Sequence, residues 1–247
     1  MNERAVALEL VLAVDVSGSM DREEPLLQRR GYVEAFVHPA VVSAVVSGAH
    51  RGIAVTYLEW ADPASRVVIV PWRLIDGEEA AKSFSRELWD SPGAEGRGTS
   101  ISGALVFAAG LFDGNGFDGE RRVIDISGDG PNNMGAPVAT AREAVVNRGI
   151  TINGLPVTLK RGGGFSRLSP EALQAYYEDC VIGGPGAFVI AARSRASLEE
   201  AIRRKLVLEI AARGAPIARM APAAASQRTD CLIGEHSRPA WLNEYLD

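Results

Sequence analysis

A carboxylate and two hydroxyls leave one apolar run together in Val14-Asp15-Val16-Ser17-Gly18-Ser19-Met20. Asp15, Ser17 and Ser19 are hard oxygen donors at alternate positions, a set suited to a divalent cation that prefers oxygen to nitrogen or sulfur. The competing reading is structural, because an Asp or Ser after a strand also caps the helix that follows. Two more oxygen donors stand at comparable places. Thr99 is delivered to a helix start by the turn-rich stretch 91–98, and Asp129 follows a second apolar run in Gly128-Asp129-Gly130-Pro131-Asn132-Asn133. Strand carboxyl ends are where open α/β sheets bind ligands.

Other chemistry-bearing residues read differently. Asp125 sits inside an apolar strand, where an unpaired charge is costly, and a structural role, as an ion pair with an Arg, is favoured over support of a metal. Glu59 reads as a solvated rim residue. The Gly-rich stretches 161–165 and 183–186 lack the Lys and Ser/Thr of a phosphate-binding loop and read as turns. The segment 113–120 has the look of a calcium loop, but Asp118 and Gly119 fall one position late, so it reads as a helix-to-strand turn. No Gly-x-Ser-x-Gly elbow occurs, and Cys180 and Cys231 with three His cannot build a zinc site.

The elements that must position these residues alternate. Strands are expected at 8–14, 53–60, 66–70, 122–127, 150–159 and 187–192, and helices from 26 to 37, at 75–89, 101–112, 138–147, from Ser169 and from Ser197, whose Ser197-Leu198-Glu199-Glu200 reads as a capping box. Only five residues separate the second and third strands, too few for a helical crossover, so these two pair antiparallel at the sheet edge. Leu198, Ile202, Leu206 and Ile210 share one face of the last helix and should pack on the sheet.

With 247 residues, 47% hydrophobic and 23% charged, the chain is long enough for one large α/β domain. A net charge of -5 without a basic stripe argues against nucleic acid. No apolar run reaches membrane-spanning length, and the first residues lack the apolar core of a signal peptide. The chain therefore reads as cytosolic or as a mature form without its leader. After Arg213 the composition turns to Ala and Pro, so 1–213 reads as the domain and 214–247 as a linker with an extension apolar enough to dock.

This order of elements, with Asp15-x-Ser17-x-Ser19, Thr99 after a glycine loop and Asp129-Gly130 after the fourth strand, resembles the von Willebrand factor A-type domain. The resemblance implies a doubly wound, mostly parallel six-stranded sheet with one antiparallel edge strand and helices on both faces. It also implies a metal-ion-dependent adhesion site: Mg²⁺ or Mn²⁺ held by Ser17, Ser19 and Thr99, with Asp15 and Asp129 supporting through water or directly. The open position on such an ion takes an Asp or Glu of a protein partner and needs no turnover. More narrowly, residues 123–133, 152–156 and 181–188 look like a bacterial family with such a domain and no assigned function. Its members are generally exported, which implies a periplasmic mature form, with the cytoplasm as the alternative. Whether Cys180 and Cys231 pair is left open; a bridge would argue for export.

A rival comes from another class. Asp15 and the 128–133 segment also resemble pieces of haloacid-dehalogenase-type phosphatases, with Asp15 as nucleophile beside Mg²⁺. Ser17 stands where that family has its general acid, Asn133 replaces the last acid of the Gly-Asp-Gly motif, and none of Lys82, Lys160 and Lys205 is placed for the phosphate.

Overall fold

Eight consecutive buried residues, Leu8–Asp15, form the central strand of the molecule, as a near-continuous apolar run in a parallel sheet requires. The computed structural model describes residues 3–18, 23–47, 52–159, 168–212 and 229–237. In chain order these form β1 (Arg4–Val6), β2 (Leu8–Asp15), α1 (Glu24–Phe36), α2 (Pro39–Val46), β3 (Ile53–Trp60), β4 (Arg66–Ile75), α3 (Glu78–Asp90) and α4 (Ile101–Gly110). Then come β5 (Phe117–Gly119), β6 (Arg122–Gly128), α5 (Val138–Val146), β7 (Ile150–Pro156), α6 (Pro170–Tyr176) running on as a π-helical turn (Tyr177–Val181), α7 (Arg195–Ala211) and α8 (Ile233–His236).

The main sheet has the order β4-β3-β2-β6-β7, parallel except for the antiparallel β3–β4 hairpin at one edge. One core, between the sheet and α1, α2, α3 and α7, includes Leu10, Leu12, Tyr32, Phe36, Phe84, Ile202 and Leu206. The other, under α4, α5, α6 and the π-helical turn, includes Val11, Ala13, Ile124, Ile126, Leu105 and Tyr176. Residues alternating along β2 and β6 thus face opposite cores, which is the doubly wound arrangement expected. The face of α7 formed by Leu198, Ile202, Leu206 and Ile210 packs on the sheet.

Several expectations need correction. The main sheet has five strands, with a separate parallel pair β1–β5. The expected sixth strand lies beside β7 as two isolated parallel bridges, Gly154 with Val189 and Val157 with Ala192. Hydrogen bonds run from Gly154 N to Phe188 O, Ile190 N to Gly154 O, Ala192 N to Pro156 O and Thr158 N to Ala192 O. The gap in this ladder falls at Pro156, which has no N–H to donate. The last helix begins one turn before Ser197: Ser194 is its cap, and Ser194 and Ser197 form a reciprocal capping box. Residues 39–46 form a helix of their own, with Pro39 in its first turn and the ring of His38 accepting from Ala40 N.

The 113–120 segment is a turn into a short strand, as read from sequence. It is fixed by Glu9, a buried acid within β2 that accepts from Asn115 Nδ2 (2.5 Å) and Gly119 N (2.8 Å) and pairs with Arg122 at 3.4 Å. Asp125 is indeed ion-paired, but with a lysine rather than an arginine. Lys205 Nζ of α7 lies 2.7 Å from Asp125 Oδ1 and also against Glu209, all three buried. The stretch 161–165, and most of the Ala/Pro-rich region, lie outside the described residues.

Candidate metal centre

The pairing of β2 with β6 sets Val14 opposite Ser127, so Asp15 and Gly128 come level at the strands' carboxyl ends and Asp129 leaves the sheet beside them. β2 lies between β3 and β6, and the chain leaves it toward β3 on one side and reaches β6 on the other only later. This is the topological switch point, where the crevice opens.

Asp15 is fully buried. Its Oδ1 accepts from Ser17 N at 2.7 Å, while Oδ2 is buried with no hydrogen-bond partner among the described residues. Burial and then the charge of Asp129 push the Asp15 carboxyl well above the usual carboxylate range, despite the hydrogen bonds from Ser17 and from the Asp129 backbone. Gly128 makes this approach of strands possible: a Cβ there would stand 2.8 Å from Asp15 Oδ2 and 2.7 Å from the Tyr177 hydroxyl. That hydroxyl, from the π-helical turn, is also buried without a hydrogen-bond partner among the described residues, and burial and the nearby Asp15 hold its pKa well above that of a free tyrosine.

Ser17 is buried beside the 91–98 loop and bridges to Gly96 in a short parallel contact. A buried ion pair ties that loop down. Arg29 of α1 donates to Glu59 Oε1 at 2.6 Å and to Ser91 O at 2.5 Å, and Glu59 Oε2 accepts from Ala94 N at 2.7 Å. Glu59 is therefore a buried anchor and not a solvated rim residue, because Arg29 and a backbone amide satisfy its charge.

Thr99 is buried at the end of the same loop and is locked to the turn after β6. Thr99 N donates to Asn133 Oδ1, and Asn133 N donates back to Thr99 O, both at 2.9 Å. Asn132 sets the neighbouring turn of α4 by accepting from Ser102 N at 3.0 Å. Ser100 caps α4, accepting from Gly103 N.

Of the five residues singled out from the sequence, Asp15 ends β2 and Ser17, Thr99 and Asp129 stand on the loops at this end of β2 and β6; Ser19 lies outside the described residues. The sequence reading missed Glu59 with Arg29, the bracing amides Asn132 and Asn133, and Tyr177. Asn132 and Asn133 were visible as polar residues after Gly-Asp-Gly-Pro. Nothing local marks Tyr177.

The donors fit a hard divalent cation. Buried Asp15 feels the charge of half-buried Asp129, one Asp15 oxygen has no hydrogen-bond partner among the described residues, and the remaining candidates are neutral hydroxyls; an ion of charge +2 would relieve the repulsion and occupy that oxygen.

The family model described as "Protein of unknown function (DUF1194)" matches residues 5–214. No curated protein matches the chain. Among solved structures, proximal thread matrix protein 1 from the mussel byssus, with a zinc-occupied MIDAS motif, superposes with a TM-score of 0.57 at 17% identity over 85% of this chain and 49% of its own. The pilus adhesin SpaC from Lactobacillus rhamnosus GG does so with a TM-score of 0.58 at 14% identity, over 83% of this chain and 30% of its own. A von Willebrand factor type A protein from Catenulispora acidiphila gives 0.55 at 15% identity, over 83% and 43%. The chain spans half or less of each of these proteins, and at such identities the likeness establishes the fold.

Proposed function

The chain belongs to the DUF1194 family of unknown function, and on its von Willebrand A-type fold we propose that it is a divalent-metal-dependent protein-binding module. The observation that carries this reading is the buried Asp15 carboxylate, within the field of the Asp129 charge and with one oxygen unpartnered among the described residues. Ser17, Ser19 and Thr99 would hold the ion through hydroxyls, and Asp15 and Asp129 would balance its charge directly or through water. Mg²⁺ or Mn²⁺ suits this oxygen set. With neutral groups as direct ligands, the bound ion would stay electrophilic toward an incoming carboxylate, so the partner would be a protein presenting Asp or Glu.

The chain's own residues have defined tasks in this reading. Glu59 and Arg29 hold the loop that carries Gly96 and Thr99, Asn133 holds the Thr99 backbone, and Gly128 leaves room for Asp15 and Tyr177 beside it. Among the described residues, phosphotransfer is poorly served, Lys160 lying outside them. Lys82 is engaged with Glu78 and Glu79 on α3, Lys205 is buried against Asp125 and Glu209, and Asn133 Oδ1 is committed to Thr99 N. The Cys180–Cys231 disulfide favours an oxidising compartment and so an exported protein. Residues 1–213 would be the binding domain and 214–247 its docked extension.

Thermal unfolding of chelator-treated protein, with and without Mg²⁺ or Mn²⁺, tests the site. A ligand of the native state at 100 times its Kd adds about 2.7 kcal/mol. Wild type should gain on that scale, and Ser17→Ala and Asp129→Ala should not. No metal-dependent shift in wild type across a concentration series would overturn the reading.

A further inference from the structure

A second route of support reaches the site from the far end of the sequence. Cys231 is bonded to Cys180 across 51 residues, with their Cα atoms 5.5 Å apart, and this fastens the segment 229–237 to the π-helical turn. Thr229 N adds a hydrogen bond to Asp179 Oδ2 at 2.9 Å. Beyond the disulfide the segment presses on the turn after β6. Gly234 lies so close to the Asn132 carbonyl oxygen that a Cβ could not be accommodated, and Glu235 Oε1 accepts from Asn132 Nδ2 at 2.7 Å.

Asn132 is fully buried, and its side-chain amide and backbone N–H are all used. Its Nδ2 also donates to Ala136 O at 3.1 Å, its backbone N donates to the Tyr176 hydroxyl at 3.1 Å, and its Oδ1 holds Ser102 N at the start of α4. The adjacent Asn133 is the residue locked to Thr99. A continuous path therefore runs from the disulfide through Glu235, Asn132 and Asn133 to the Thr99 donor. The same disulfide anchors the π-helical turn whose Tyr177 hydroxyl stands at Gly128 beside Asp15.

We infer that Glu235 is a positioning residue for the metal site, and that the Cys180–Cys231 disulfide sets metal affinity by holding Glu235 against Asn132. The inference rests on the metal-binding reading above and adds a regulatory input to it. Reduction by a dithiol breaks the S–S bond; Cys180 and Cys231 each gain one electron and one proton while the reductant closes to its own disulfide. Cys180 is buried and Cys231 half-buried, so the accessible sulfur is on the segment that would be released.

The test is Mn²⁺ binding to the full chain by calorimetry, oxidised and after dithiol reduction, beside Glu235→Ala and Glu235→Gln in the oxidised form. Loss of groups that orient metal ligands typically weakens affinity about tenfold or more. Reduction and Glu235→Ala should each weaken Kd by about tenfold, whereas Glu235→Gln, whose amide oxygen can still accept from Asn132 Nδ2, should bind as wild type does. A purely structural brace would lower the Tm of the metal-free chain without moving Kd, and that result overturns the inference. So does an unchanged Kd after reduction and in Glu235→Ala, with the metal site itself left standing. Absence of Mn²⁺ binding by oxidised wild type overturns both.

Discussion

At the scale of single residues, the site depends on how closely side chains from β2, β6 and the π-helical turn approach one another. Gly128 is the test of this. Its role is spatial: an added methyl would stand 2.7 Å from the Tyr177 hydroxyl and 2.8 Å from Asp15 Oδ2, nearer than carbon and oxygen can sit without displacement. Gly128→Ala should therefore cost about 1–3 kcal/mol in the metal-free chain, the usual price of overpacking, and should also abolish the metal-dependent rise in Tm by displacing Asp15. Adding Tyr177→Phe removes one of the two obstructing oxygens, so the double variant should recover stability without recovering the metal effect. Chemical denaturation of the two variants beside wild type checks the first part and thermal unfolding with and without metal the second; a Gly128→Ala protein of wild-type stability would show that the crevice has slack.

At the scale of elements, the loop carrying Thr99 is held by a buried ion pair that joins residues 30 positions apart, Arg29 on α1 and Glu59 on β3. Removing one partner strands a buried charge, which costs about 3–5 kcal/mol. Glu59→Gln and Arg29→Met should each fall in that range in urea unfolding, and replacing both with apolar residues should cost less than the two single changes added together. Strict additivity would mean that the pair is not coupled. The same pair shows why part of the site could not be read from sequence. Asp15, Ser17 and Asp129 are oxygen side chains just after apolar strands and Thr99 one at a helix start, so local pattern singles them out as candidates. Glu59 looked like a rim residue because its partner is supplied by another element. Secondary structure divides along similar lines. β3 was legible at both ends, bounded by Gly52 and the turn at Ala61-Asp62-Pro63. β4 runs on past Pro71 to Ile75, where a helix was expected to begin, because the edge-strand ladder takes up the proline at a register shift between the Tyr57–Val70 and Val55–Arg73 pairs. The sixth strand fails for the complementary reason, since Pro156 sits where β7 would have to donate to it.

At the scale of the whole molecule, α7 closes one face of the sheet not only through Leu198, Ile202, Leu206 and Ile210 but also through charge in the core. Lys205 is 0% exposed and Asp125 1%, with Glu209 equally enclosed and receiving Asn153 Nδ2 at 2.9 Å. Two carboxylates then share one ammonium away from water. Burial first, and the Glu209 charge second, outweigh the pull of Lys205 and raise the Asp125 carboxyl from 3.8 to about 7. The sign of the consequence follows from linkage. Between those two values the folded chain binds the Asp125 proton more tightly than the unfolded chain does, so the stability this proton contributes is complete at the acidic end and is lost as the pH rises through about 7. Asp125→Asn keeps a polar side chain of the same size but cannot titrate. Urea unfolding from pH 4 to pH 8 should therefore show wild type losing stability relative to Asp125→Asn as the pH rises, the difference levelling off once Asp125 is ionised. Parallel pH curves for the two proteins would mean that Asp125 is ionised in the fold throughout, with Lys205 holding its charge against the pull of burial.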